Sequence, residues 1–71
     1  MEYLVVLEQS ESGWGAHVPD LPGCVAAGAN REETLQLIRE AVSFHLEGLR
    51  EVGEPVPPPA SVAETVAVGA A

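Results

Sequence analysis

Only one stretch of this chain, Asn30 to Val52, is long and periodic enough for a stable helix, so the rest must supply what that helix packs against. At about 100° per residue, Leu35, Leu37, Ile38, Ala41, Val42, Phe44, Leu46, Leu49 and Val52 fall in one broad arc. Glu32, Glu33, Gln36, Arg39, Glu40, Ser43, Glu47, Arg50 and Glu51 fill the remainder. Asn30 opens the run with Glu33 three residues on, a capping box with Asn in place of Ser or Thr. Gly53 and Pro55 supply the stop. The arc is about 200° wide, more than the ~100° needed to pack on one surface. Leu37 and Phe44 at its edge are therefore expected to make contacts beyond the chain. His45 alone breaks the apolar arc.

The 71 residues make one domain at most, spanning 1–71. A chain this short buries only roughly 60–65% of its unfolded surface, so its own core is marginal. With Cys24 as the one cysteine, a disulfide scaffold is excluded and a reducing, cytoplasmic setting fits. One Cys and two His are a thin supply of metal ligands, and no cofactor is expected. Oligomerisation is the remedy left, and a hydrophobic fraction of 46% points the same way. The net charge of −8, with Arg31, Arg39 and Arg50 as the only basic side chains beside eleven acidic ones, argues against direct nucleic-acid binding. It suits solubility or a basic partner. Met1-Glu2-Tyr3 lacks the basic start of a signal peptide, and no apolar run approaches the ~20 residues of a membrane span.

Tyr3 to Leu7 is a short apolar run that reads as a central strand buried on both faces. Gln9 to Gly13 reads as a hairpin loop, and Trp14 to Val18 as the returning strand, with Trp14, Ala16 and Val18 on one side and Gly15 and His17 on the other. Pro19-Asp20-Leu21-Pro22-Gly23 can be neither strand nor helix; Pro22-Gly23 suits a type II turn. Cys24 to Ala27 is a third strand closed by Gly28. Beyond the helix, the Pro-rich connector at 55–59 is of polyproline type. The six residues from Glu54 to Pro59 span about 19 Å at ~3.1 Å each. Val62 to Val68 reads as a fourth strand, and 69–71 as a frayed end. The fold expected is α+β, β-β-β-α-β, in the order 3-2-1-4 with the fourth strand parallel to the first and the helix on one face. Leu4 and Val6, or else Tyr3, Val5 and Leu7, then face away from the helix uncovered, a second reason to expect a homo-oligomer.

The run Val18-Pro19-Asp20-Leu21-Pro22-Gly23-Cys24, followed by Gly28 and a capped helix with Glu32-Glu33-Thr34-Leu35, resembles the HicB antitoxin family. Gly13 to His17 before it and His45-Leu46-Glu47-Gly48-Leu49 at the helix end fit the same pattern, and the likeness covers roughly Tyr3 to Val68. The resemblance implies a degenerate RNase H-like sheet with one helix. It also implies a cytoplasmic antitoxin, a non-catalytic protein-binding module that neutralises a small basic mRNA-cleaving toxin of the HicA type. Many relatives carry a C-terminal helix-turn-helix or ribbon-helix-helix domain. Here only a strand's length follows the Pro-rich segment, so operator binding is not expected of this chain alone. The alternatives are a solitary oligomeric domain of unknown ligand and a degenerate metal-dependent RNase H-like nuclease.

A metal-dependent nuclease of the RNase H kind needs several converging carboxylates, one on the first strand. Tyr3 to Leu7 holds none, Asp20 is in a loop, and Glu64 has no evident partner, so no enzyme is expected. His45 reads as a core histidine with a backbone partner or as an interface residue; no Ser, Cys or carboxylate pairs with it for catalysis. His17 reads as solvated or interfacial. Cys24 reads as a small buried hydrophobe. Pro55-x-x-Pro58 is read as a stiff connector rather than a PxxP ligand. Asp20 is expected to bond backbone two residues on, with a partner contact as the alternative. Leu4, Val6, His17, Leu37, Phe44 and His45 are the candidate oligomer interface; Pro19, Asp20, Leu21, Pro22, Gly23 and Cys24 are the turn motif.

Overall fold

A computed structural model describes residues 1–69; Ala70 and Ala71, at the end expected to fray, lie outside the described residues. Three antiparallel strands, β1 (Val6–Ser10), β2 (Gly13–His17) and β3 (Val25–Gly28), lie in the order β1-β2-β3, and α1 (Arg31–Glu51) packs on one face. The helix forms where its periodicity placed it. Asn30 accepts a hydrogen bond from the Glu33 N–H at 2.8 Å. At the other end the Glu54 and Gly53 N–H groups donate to the Leu49 and Arg50 carbonyls, and Gly53 takes φ +73°. That is a Schellman stop, which satisfies carbonyls the helix would leave open.

The first strand differs from expectation. It starts three residues later than Tyr3, extends through the polar Glu8–Ser10, and is an edge strand with one neighbour rather than a central one. β2 ends at His17 because Pro19 follows, and the Val18 backbone is committed to Cys24 and Leu21. No rung remains for Tyr3–Val5. The ladder continues instead toward the turn at Glu11-Ser12, where Ser10 pairs with Gly13.

The fourth strand expected at Val62–Val68 does not form, and the place beside β1 stays open. The Tyr3 hydroxyl donates to the Pro57 carbonyl, Val56 packs on the core, and Asp20 holds Ala60 and Ser61. These contacts draw the chain past the start of β1 to the β2–β3 connection, away from the β1 edge. The Cα radius of gyration, 14.4 Å, exceeds the roughly 11 Å of a compact chain this long, because residues 62–69, all exposed, stand off the body.

The core lies between α1 and the helix-facing side of the sheet. Ala16, Val18, Leu21, Cys24, Ile38 and Leu46 are buried, with Tyr3, Val5, Leu7, Ala26, Leu35, Val42 and Leu49 packed against them. Thr34 has no exposed surface and donates its hydroxyl to the Asn30 carbonyl at 2.8 Å. This junction is tight: a β-carbon at Gly28 would stand 2.6 Å from Thr34 Oγ1. Ile38 is fully buried while Leu37 beside it is at the helix rim. Ile38→Ala should cost about 2–5 kcal/mol, a large share of a small domain's stability. Leu37→Ala should stay within about 1 kcal/mol; urea denaturation of the two variants measures the difference.

Candidate interaction surfaces and tail anchor

The motif between β2 and β3 is two turns in succession. The Leu21 N–H donates to the Val18 carbonyl at 3.0 Å, closing a turn with Pro19 second. The Cys24 N–H donates to the Leu21 carbonyl at 3.0 Å, and Gly23 takes φ +84°, the position a type II turn reserves for glycine. The pair of turns drives Leu21 fully into the core and leaves Pro19, Pro22 and Gly23 exposed. Cys24 is a buried free thiol whose pKa is pushed up by desolvation, the opposite of what a nucleophile needs.

Asp20, on the outer side of the same turns, does not bond its own loop as expected. Its Oδ2 accepts from the Ala60 and Ser61 N–H groups at 2.8 and 2.9 Å, and its Oδ1 from the Ser61 hydroxyl at 2.8 Å. The Ser61 N–H, then the Ala60 N–H, then the Ser61 hydroxyl hold the carboxyl below its ordinary value, against a smaller upward push from desolvation. Nothing in local sequence marks this pairing across forty residues.

The candidate interface residues divide between two surfaces. On the sheet face away from α1, Val6 is paired with His17 and His17 with Val25, so the three form one row. Leu4 precedes Val6 with the same alternation and lies outside the core cluster, whereas Tyr3, Val5 and Leu7 belong to the helix side. Glu8 is beside the row, with Oε1 3.9 Å from His17 Nδ1; both side chains are exposed, so the pair is worth under about 1 kcal/mol. The second surface is a shallow groove between the free edge of β3 and α1, lined by Val25, Leu37, Ala41 and Phe44. Phe44 is 79% exposed and Val25 65%. Val25 borders both surfaces and escaped the sequence reading, although its place on a short alternating edge strand was the available signal. His45 is half-buried, one helical turn from Ala41 and Leu49, and belongs to neither surface.

Among the described residues, no three His, Cys, Asp or Glu side chains are grouped to hold a metal ion. No helix of the described chain is long and apolar enough to cross a membrane.

The sequence profile of the HicB-like antitoxins of bacterial toxin–antitoxin systems matches residues 3–69. The chain belongs to this family. An antitoxin HicB 2 of Photorhabdus laumondii is 35% identical over 77 aligned positions, covering 93% of this chain and 55% of that protein. A 14.9 kDa protein of Haemophilus phage HP1 is 40% identical over 57 residues, covering 80% of this chain and 43% of its own length. This chain thus spans about half the length of those two relatives. A UPF0150 protein of Thermoplasma acidophilum, 36% identical over 58 residues, is covered to 84%. Among solved structures, a chain of a HicA3 and HicB3 toxin–antitoxin complex matches with a TM-score of 0.71 at 30% identity, over 83% of this chain and 70% of that one. The fold of three antiparallel strands and one helix is therefore shared with that solved chain.

The tail anchor responds to acid in a defined direction. Because the folded-state pKa of Asp20 is lowered, the contact's contribution is full above the ordinary aspartate value and is lost as pH falls through the folded one. Hydrogen exchange at the Ala60 and Ser61 amides should be protected at neutral pH relative to the intrinsic rate of an unstructured amide, and that protection should vanish in that acid range. Asp20→Asn should lower the protection at neutral pH and remove its dependence on pH.

Proposed function

We propose that this HicB-family domain acts by binding: it docks on a small basic toxin of the HicA kind in the cytoplasm and occludes it, without catalysis of its own. The observation that carries this reading is the structural likeness, across most of the chain, to a protein solved in a toxin–antitoxin complex. The charge supports it. All ten glutamates are exposed, and a surface of net charge −8 attracts a basic partner and speeds its encounter. The outer sheet face is the docking surface we assign to the toxin. Leu4, Val6 and Val25 offer an apolar centre, and Glu8 stands beside them with no arginine on the strands. An apolar centre with a charged rim is the usual anatomy of a protein interface.

The chemistry of the residues supports the absence of catalysis in this reading. Glu8 is on the outer face, Glu64 is exposed after the anchored segment, and Asp20 is occupied by Ala60 and Ser61. Three carboxylates so dispersed do not converge on one scissile bond.

The experiment is co-expression with a short neighbouring reading frame encoding a Lys/Arg-rich protein. Retention of that protein on the tagged chain and relief of its toxicity are expected; neither would occur if the reading is wrong. Val6→Asp should weaken the complex by more than about 1 kcal/mol, as loss of an interface anchor does. Because Val6 is not in the buried core, the variant should keep its far-UV circular dichroism.

A further inference from the structure

Two parts of this chain are each left without a partner. The first is the segment 62–68, whose backbone is paired to nothing among the described residues and in which Val62, Val66 and Val68 are 83%, 81% and 87% exposed. Val62, Glu64, Val66 and Val68 alternate with Ala63, Thr65 and Ala67, a period of two that presents one branched apolar side. A segment with this alternation and with N–H and C=O groups that no backbone partner takes up is suited to add as a strand to a sheet edge. The second is the groove between α1 and the open edge of β3. Its rim carries Phe44, Val25 and Leu37, the large apolar side chains that the sheet is too narrow to cover.

The two match in charge as well as in polarity. The chain has fourteen charged side chains, yet the groove carries one, Glu40, and the segment one, Glu64. Depletion of charge is what marks the centre of a protein interface. The route of the tail supplies the geometry. Asp20 fixes Ala60 and Ser61 at the connection that leads into β3, so the segment leaves the body at the end of the sheet where β3 begins. The β1 edge is the weaker candidate. Tyr3, Val5, Leu35 and Val42 on that side are already half-buried, and the chain's own Pro57 is bonded at its start.

We propose that two copies of this chain form a dimer by exchanging tails. Residues 62–68 of each copy add as a strand to the free β3 edge of the other, with Val66 and Val68 over the second copy's Leu37 and Phe44. The backbone of the tail gains a ladder, and both exposed apolar surfaces are covered in one step. Asp20 acts as the hinge post that aims each tail outward. This contact centres on the β3 edge and α1, sharing only Val25 with the outer sheet face assigned to the toxin, and it requires no toxin to be seen.

The test uses the full chain in light scattering and sedimentation equilibrium. The unaltered protein should sediment at twice its 7.4 kDa chain mass. Phe44→Asp in the groove, and Val66→Asp with Val68→Asp in the tail, should each raise the dimer dissociation constant at least about tenfold, as loss of interface anchors does. All three positions are exposed, so circular dichroism should be unchanged. Mixing the groove variant with the tail variant should restore dimers, since one intact tail then meets one intact groove. A wild-type chain monomeric up to its solubility limit overturns the proposal. So does a dimer that survives both sets of substitutions, or one lost with Phe44→Asp but kept with the tail variant, because the groove would then hold something other than the tail. A monomer whose toxin binding is lost with Phe44→Asp assigns the groove to the toxin and equally overturns it.

Discussion

The burial of Leu21 against the helix-covered side of the sheet is the contact on which this small structure depends. Neither Leu21 nor Ile38 keeps any exposed surface, and they come from the β2–β3 connection and from the first half of α1. A three-stranded sheet with strands of four or five residues cannot enclose a core by itself. A connecting loop that folds a leucine inward lets the connection act as part of the core wall. Two prolines restrict that loop, so less backbone entropy is lost when Leu21 is buried, while Gly23 supplies the positive φ the second turn needs at an entropic cost of its own.

The same loop does a second task on its outer side. Leu21 points in while Asp20, one residue earlier, receives the C-terminal segment through three hydrogen bonds. Charge-assisted bonds to two consecutive backbone N–H groups fix direction as well as position. The tail is thereby held along one end of the sheet instead of beside β1. One hexapeptide, Pro19 to Cys24, thus closes the core and sets the course of the segment that follows Ser61 up to residue 69.

How far the sequence spoke depended on the range of the forces involved. The helix was legible to within a residue because its cap, stop and apolar period are all local. The β2–β3 turn was legible for the same reason, and so was the family, since Pro19 to Cys24 is a contiguous signature. β1 was misplaced because apolar content was taken for strand content. Ladder bonds continue through Glu8, Gln9 and Ser10 regardless of side-chain burial. The missing fourth strand has a non-local cause: β-propensity in Val62–Val68 was real, but Asp20, forty residues away, decided where those residues could go. The site was legible in outline only. The helix rim at Leu37 and Phe44 followed from the width of the apolar arc, whereas Val25 needed the observed edge of the sheet.

The two uncovered surfaces each carry one glutamate, Glu8 or Glu40, and differ in that the groove runs along an open strand edge. The outer sheet face has Glu8 against its apolar row, and a basic partner gains both encounter rate and orientation from such a rim. A second copy of this chain brings the same charge of −8 to either surface and gains no such rate from it. The β3 groove sets Val25, Leu37, Ala41 and Phe44 around Glu40 along the free edge of β3, whose backbone groups on that side have no strand partner among the described residues. Such a surface selects for shape and for a strand with free backbone groups, which the chain's own tail supplies. Self-association at the β3 edge and docking on the outer sheet face, as proposed, therefore draw on different parts of the domain, the open backbone of β3 and the row begun by Leu4 and Val6, and meet at Val25.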